Sequence, residues 1–141
     1  MGLRFNHMEI TFAKGALTPS FCDEVSTFYS DVFGFTSSRR RMFGQESLTL
    51  RTPDNDFILL IEGDVPMTSP GFDHLGFRLD SREEVDDTLA RVKRHLATDD
   101  RVELKEYNDD VMDGELYHAY YVRHLLPIWF DVQFVERAPV S

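Results

Sequence analysis

The sequence predicts an α+β protein in which a βαβββ unit occurs twice. Three observations carry that prediction. Two segments show a helical apolar stripe with its own start signal, each follows a short alternating strand that opens on histidine, and each precedes three further strand-like segments.

The first opening strand is "HMEITF", residues 7–12, in which Met8, Ile10 and Phe12 alternate with His7, Glu9 and Thr11. Period two places these sets on opposite faces of a sheet, the apolar set toward a helix. The helix follows in "TPSFCDEVSTFYSDVF", with Thr18 as N-cap, Pro19 at the first helical position and Gly34 as the stop. Phe21, Val25, Phe28 and Val32 recur at i, i+4, i+7, i+11 as one packing stripe. "SSRRRMFG", "ESLTLRT" and "DFILLIEG" read as the three strands, with "TPDND" as a turn. Arg39 to Arg41 read as a solvated strand edge in preference to an anion site, and Cys22 as a passive thiol on the helix.

The segment "GDVPMTSPGFD", residues 63–73, is rich in Pro, Gly and Ser and reads as a connection. The second copy opens with "HLGFRL", residues 74–79, where Leu75, Phe77 and Leu79 alternate with His74, Gly76 and Arg78. Ser81 and Glu84 have the spacing of a capping box, and Val85, Leu89, Val92 and Leu96 repeat the helical stripe. The last strands are "DRVELKEYN", "LYHAYYVRH" and "IWFDVQFVE". Module 1 thus spans about residues 5–62 and module 2 about 74–136, within a single domain of residues 1–141.

Composition sets outer bounds. A chain of 141 residues with 42% hydrophobic and 13% aromatic content folds around one core. The formal net charge of −10 disfavours nucleic acid as a partner and suits solubility or a cationic ligand. No apolar run approaches the ~20 residues needed to span a bilayer, the start "MGLRFNHMEI" lacks a signal-peptide core or myristoylation pattern, and one cysteine suits a reducing cytoplasm.

One residue resists a packing explanation. Asp131 interrupts the apolar run "IWFDVQF", and a carboxylate among Phe130, Val132 and Phe134 is solvated, paired or bound to a cation. His118 and Tyr120 share one face of the preceding strand, and Tyr121 and Arg123 the other, with direction left open. His95 and His124 read as surface residues, and Trp129 as a packing or cavity-wall aromatic.

The doubled βαβββ pattern with histidine opening each first strand resembles the vicinal oxygen chelate superfamily: glyoxalase I, fosfomycin-resistance enzymes, epimerases, extradiol dioxygenases and bleomycin-resistance proteins. In that family the last two strands commonly read aromatic-Tyr-aromatic-Arg, an Asp-Pro-Asp-Gly-Asn turn, then a strand with a glutamate. Here "YYVRHLLPIWFDVQF" aligns without a gap, with Asp131 at the glutamate's position and "HLLPI" in place of the turn. The apolar turn lacks a residue suited to left-handed backbone, and Asp shortens the ligand's reach by about 1.5 Å.

The resemblance implies a cupped mixed sheet with helices packed outside, and a site at which His7, His74 and Asp131 bind one divalent metal ion (Fe2+, Mn2+, Zn2+ or Ni2+). Two imidazoles and one carboxylate leave coordination positions open for a substrate's neighbouring oxygen atoms. Glu9 is a fourth ligand, a base or a solvated residue, and Tyr121 is a candidate proton donor because the family has tyrosine there. The implied function is a metal-dependent lyase, isomerase or epimerase, transferase or ring-cleaving dioxygenase acting on a small molecule. The absence of an acid in "FILLI" before Glu62 counts against a faithful glyoxalase. The alternative is a non-catalytic drug-binding protein of the bleomycin-resistance type, which the acidic charge suits and the retained ligand set does not. A homodimer is the family's common state, with the cup completed within one chain or across a two-fold axis.

Overall fold

The computed structural model describes residues 2–139. The chain divides into two compact units between Met67 and Thr68. The first contains β1 (His7–Ala13), α1 (Pro19–Phe33), β2 (Thr36–Met42), β3 (Gln45–Arg51) and β4 (Phe57–Gly63). The second contains β5 (His74–Arg78), α2 (Arg82–Leu96), β6 (Glu103–Glu106), β7 (Asp110–Met112), β8 (Glu115–Arg123) and β9 (Trp129–Arg137). Each unit carries its own mixed sheet. The first has order β1-β4-β3-β2, and the second β5-β9-β8-β6 with β7 paired to β8. In both, the histidine-opening strand runs parallel to the unit's last strand and the remaining pairs are antiparallel.

The helix ends follow from local chemistry. Thr18 accepts a hydrogen bond from the Phe21 amide at 3.2 Å, and Gly34 closes α1 in a left-handed conformation with φ 72°. Ser81 accepts from the Glu84 amide at 3.1 Å, while the Glu84 carboxylate reaches past Ser81 to accept from the Asp80 amide at 2.9 Å. Both caps thus satisfy amides that have no partner inside the helix.

Alternation then sorts the faces. In the first unit Ile10, Leu48, Leu50 and Leu60 are fully buried at registered positions, and Phe12 meets Phe21 of α1 with ring centroids 5.8 Å apart. The opposite face carries His7, Glu9 and Thr11 beside Phe57, Leu59 and Ile61. The expected stripe of α1 is supplemented by buried Cys22 and Tyr29, and the burial of Cys22 raises its thiol pKa, as expected of a passive thiol. The Arg39–Arg41 run lies on exposed β2 at the sheet edge, where Arg41 donates to Glu46 at 2.6 Å.

In the second unit, α2 rests on the face of β8 that carries His118 and Tyr120. Tyr120 is 1% exposed and donates its phenol to Thr88 at 2.8 Å. Thr88 takes a buried position that the apolar spacing assigned to the stripe's aliphatics, while Leu96 at the end of the stripe remains exposed. His118 joins the same contact. Its ring nitrogens lie 2.7 Å from Asp109 and 2.7 Å from Asp86, and Arg82 donates to Asp109 at 2.7 Å.

Three local expectations are corrected. The segment read as one strand from Asp100 to Asn108 is a four-residue β6, after which the chain forms the short strand β7. Asp113 and Gly114, with φ 52° and 76°, make the tight turn that folds β7 back onto β8. His124 is not a surface residue. It is 4% exposed beside buried Leu126 and Ile128, burial lowers its pKa, and its Nε2 lies 3.5 Å from an Asp99 oxygen. The apolar turn that holds it does enter the left-handed region, with Leu125 at φ 65°. The strain, of order 1–2 kcal/mol, is offset by burying the turn's side chains.

The His118 cluster is pH-linked. Burial opposes the charged ring, but hydrogen bonds to Asp109 and Asp86 outweigh it and raise the pKa above the ordinary 6.5. Because the folded-state value is the higher one, the stabilisation is complete below the ordinary value and is lost as pH rises through the raised one. His118→Gln is therefore expected to lower unfolding free energy by about 1 kcal/mol more near pH 5.5 than near pH 8.5. Urea denaturation at both pH values checks this; equal penalties would refute it.

Candidate functional site

The second sheet concentrates its chemistry on the face away from α2. Asp131 on β9 is flanked in register by Gly76 on β5 and Tyr121 on β8, and His74 stands diagonally across at the start of β5. Period two explains why these residues meet. Each lies an even number of positions from others that point the same way, including Gln133 and Ala119.

Asp131 is the unusual member. It is 8% exposed; one oxygen, Oδ2, accepts from the Gln133 side chain at 3.1 Å and lies 3.8 Å from His74 Nε2. The other, Oδ1, is buried and has no hydrogen-bond partner among the described residues. Burial raises the pKa of Asp131, with His74 and the Tyr121 phenol pulling it partly back. The Tyr121 phenol is itself raised, first by burial and then by the neighbouring carboxylate, so it holds its proton near neutrality.

His74 has a fixed orientation. Its Nδ1 lies 3.0 Å from the Phe72 carbonyl, which only accepts, so Nδ1 carries hydrogen; Nε2, 3.8 Å from Asp131, carries a lone pair in the neutral ring and a hydrogen in the protonated one. An imidazole nitrogen and a carboxylate oxygen at 3.8 Å lie within the roughly 4.2 Å that two bonds of about 2.1 Å to a shared divalent ion can span. A backbone carbonyl holding the ligand's other nitrogen is the usual outer support of such a histidine.

His7 and Glu9 belong to the first unit, on the face of β1 opposite Ile10, and both are exposed. His7 Nδ1 lies 2.6 Å from the Asn6 side-chain oxygen, and the ring stacks on Phe57 at 4.8 Å and 6°. The accepting oxygen again leaves Nε2 as the lone pair. Of the expected site residues the structure therefore brings together His74, Asp131 and Tyr121. Among the described residues no group of three or more His, Cys, Asp or Glu side chains lies close enough to hold one metal ion.

A cleft of about 790 Å³ opens onto the pair in the second unit. Its lining includes His74, Asp131, Tyr121 and Gln133, and a second wall of Tyr107, Asn108, Asp110 and Met112 from β7 and the segment before it. Phe72 closes one end, its ring 4.7 Å from Tyr121 and 5.3 Å from Trp129. The β7 wall and Phe72 were not foreseen from the sequence. The signal for the wall was the Asp113-Gly114 hairpin turn. For Phe72, none existed beyond its nearness to His74.

Two units of βαβββ order, the second with the short β7 added, a histidine opening each and a buried acid beside the second, define a protein of the glyoxalase-like class. The chain belongs to the Glyoxalase/Bleomycin resistance protein/Dioxygenase superfamily, whose family model matches residues 4–125. Solved structures share the fold. A putative glyoxalase family protein from Bacillus anthracis is 12% identical, with 96% of this chain and 98% of that chain covered and a TM-score of 0.65. The fosfomycin resistance protein FosX from Listeria monocytogenes is 17% identical, with 95% and 94% covered and a TM-score of 0.64. A FosX mutant structure holding Mn(II) and 1S,2S-dihydroxypropylphosphonic acid is 19% identical, with 99% and 95% covered and a TM-score of 0.59. A divalent metal thus occurs in this fold, and at these identities the likeness speaks for the fold. No curated protein matches the chain.

A buried carboxylate with an unpartnered oxygen costs stability that a neutral amide does not. Asp131→Asn is accordingly expected to raise the melting temperature of metal-free protein at neutral pH by about 3 °C. Differential scanning calorimetry checks this, and a lower melting temperature would show that the carboxylate is a structural asset.

Proposed function

We propose that the protein is a metal-dependent enzyme acting on a small molecule with neighbouring oxygen atoms, and that His74 and Asp131 are two of its metal ligands. The single observation that supports this reading most is the pair itself: an exposed imidazole whose Nε2 lies 3.8 Å from a buried carboxylate, with the second carboxylate oxygen unpartnered. In this reading His7 is the third ligand, supplied by the same chain or by a second copy in a homodimer. Its equivalence to His74 in the repeat and its matching tautomer support the assignment.

A divalent cation held by this set supplies Lewis acidity to the substrate's adjacent oxygens. The remaining chemistry falls to the chain. Tyr121 keeps its proton and donates a hydrogen bond to a substrate oxygen beside Asp131. Gln133 holds one Asp131 oxygen, and so fixes the direction of the other. Glu9, exposed on the His7 face, is a candidate base. Lyase, isomerase, transferase and dioxygenase chemistry all begin from such a centre, and these residues favour none over the others. The second reading, a drug-binding protein without catalysis, draws its support from the net charge of −10 and the aromatic cleft.

Metal content separates the two. Protein loaded with Mn(II) and dialysed is expected to retain about one ion per site. His74→Ala, Asp131→Ala and His7→Ala should each weaken retention by more than the roughly 10–100-fold that loss of an outer support costs. Unchanged stoichiometry in His74→Ala would remove the enzyme reading and leave the binding one.

A further inference from the structure

The lining of the second unit's cleft is selective in composition. Phe72, Tyr107, Tyr117, Tyr121 and Met112 supply its apolar surface. Phe72, Tyr107 and Met112 stay 37%, 52% and 53% exposed, an unusual commitment of large apolar side chains to solvent. Tyr107 meets Tyr121 edge to face at 5.4 Å, and Tyr121 meets His74 at 5.2 Å, so the rings run continuously from the mouth to the candidate ligand.

The charged lining has one sign. Asp109, Asp110 and Asp131 line the cleft, and among the described lining residues there is no lysine or arginine. Asp109 is engaged by Arg82 and His118 behind the wall, which leaves Asp110 as the exposed acid near the mouth. The cations beside the lining serve other contacts, and Arg78, in register with Gln133, donates to the Val135 carbonyl at 3.0 Å. Lys105 stands 4.2 Å over the Phe72 ring and 5.1 Å over Trp129, and Arg123 lies over Trp129 at 4.8 Å while pairing with Glu103 at 2.6 Å.

We infer that this cleft takes a ring-bearing ligand that is uncharged or cationic away from its paired oxygens, and discriminates against anions such as phosphonates and carboxylates. The inference rests on the proposed function only in placing the ligand's oxygens at His74 and Asp131. The physical argument is independent of the metal. Aromatic faces carry negative potential and attract planar or cationic groups, and the exposed Asp110 carboxylate beside them, which accepts from the Val111 amide at 2.9 Å, repels an anion that no lysine or arginine of the lining offsets.

The test uses full-length protein loaded with Mn(II) under anaerobic conditions, with Trp129, the one tryptophan, as fluorescence reporter. Three diols keep the ring and paired oxygens and differ in charge: 3,4-dihydroxybenzamide is neutral, 3,4-dihydroxybenzoate anionic, and dopamine cationic. Propane-1,2-diol lacks the ring. The neutral and cationic diols are expected to bind about tenfold or more tighter than the benzoate, with propane-1,2-diol weakest. Asp110→Asn should narrow the dopamine-to-benzoate ratio about threefold or more, and Tyr107→Ala should weaken all three ringed probes. Benzoate binding as tightly as the benzamide would overturn the inference, as would failure of every ringed probe to bind. The same panel on His74→Ala separates the two claims. Unchanged metal content with the charge ranking intact sinks the metal centre alone, and reduced metal content in a protein whose wild type shows no ranking sinks the charge selectivity alone.

Discussion

Asp131 carries a negative charge into the middle of a sheet, and the arrangement of the second unit follows from how that charge is accommodated. Only one of its oxygens is held by a side-chain amide, and the nearest cation-forming group is an imidazole at 3.8 Å. Apolar neighbours on β9, Phe130 and Val132, face the other way and are buried to 1% and 0% exposure, so the strand cannot rotate to release the acid without exposing them. The same alternation that builds the core therefore fixes the carboxylate beside His74 and Tyr121.

The repeat gives this arrangement a counterpart. His7 and His74 both open a strand parallel to their unit's last strand, and both have Nδ1 engaged by an oxygen. Beyond the histidines the two faces diverge. Position 59 in β4, in register with Glu9, is leucine, whereas position 131 in β9, in register with Gly76, is aspartate. The face of the first unit carries an imidazole stacked on Phe57, and that of the second a carboxylate, a phenol and an aromatic cleft. The duplication has thus preserved the strand order while specialising the surfaces.

Much of this was legible in the amino-acid order. The Thr18-Pro19 and Ser81-Glu84 signals located both helix starts because capping is local chemistry, decided within one turn. The alternation of β1, β5 and β9 sorted His7, His74 and Asp131 from the core for the same reason. What escaped reading depended on tertiary context. His124 looks like a loop histidine until the fold buries it to 4% exposure, and Leu125 enters left-handed backbone because packing outweighs its local preference. Thr88 interrupts an aliphatic stripe because Tyr120, 32 residues later, brings a phenol to it. The orientation of β8, which decided between His118 and Tyr121 as cleft residues, was equally invisible until α2 was seen to cover one face.

Among the described residues the short β7 strand pairs only with β8, and reaches it through a two-residue left-handed turn. It buries little: all of its residues are exposed. A ribbon attached in this way can gain or lose residues while the four strands behind it keep their register. Diversification of what the molecule recognises is thereby uncoupled from the integrity of its scaffold, and length changes in this ribbon are the cheapest route by which related chains would acquire new chemical tastes.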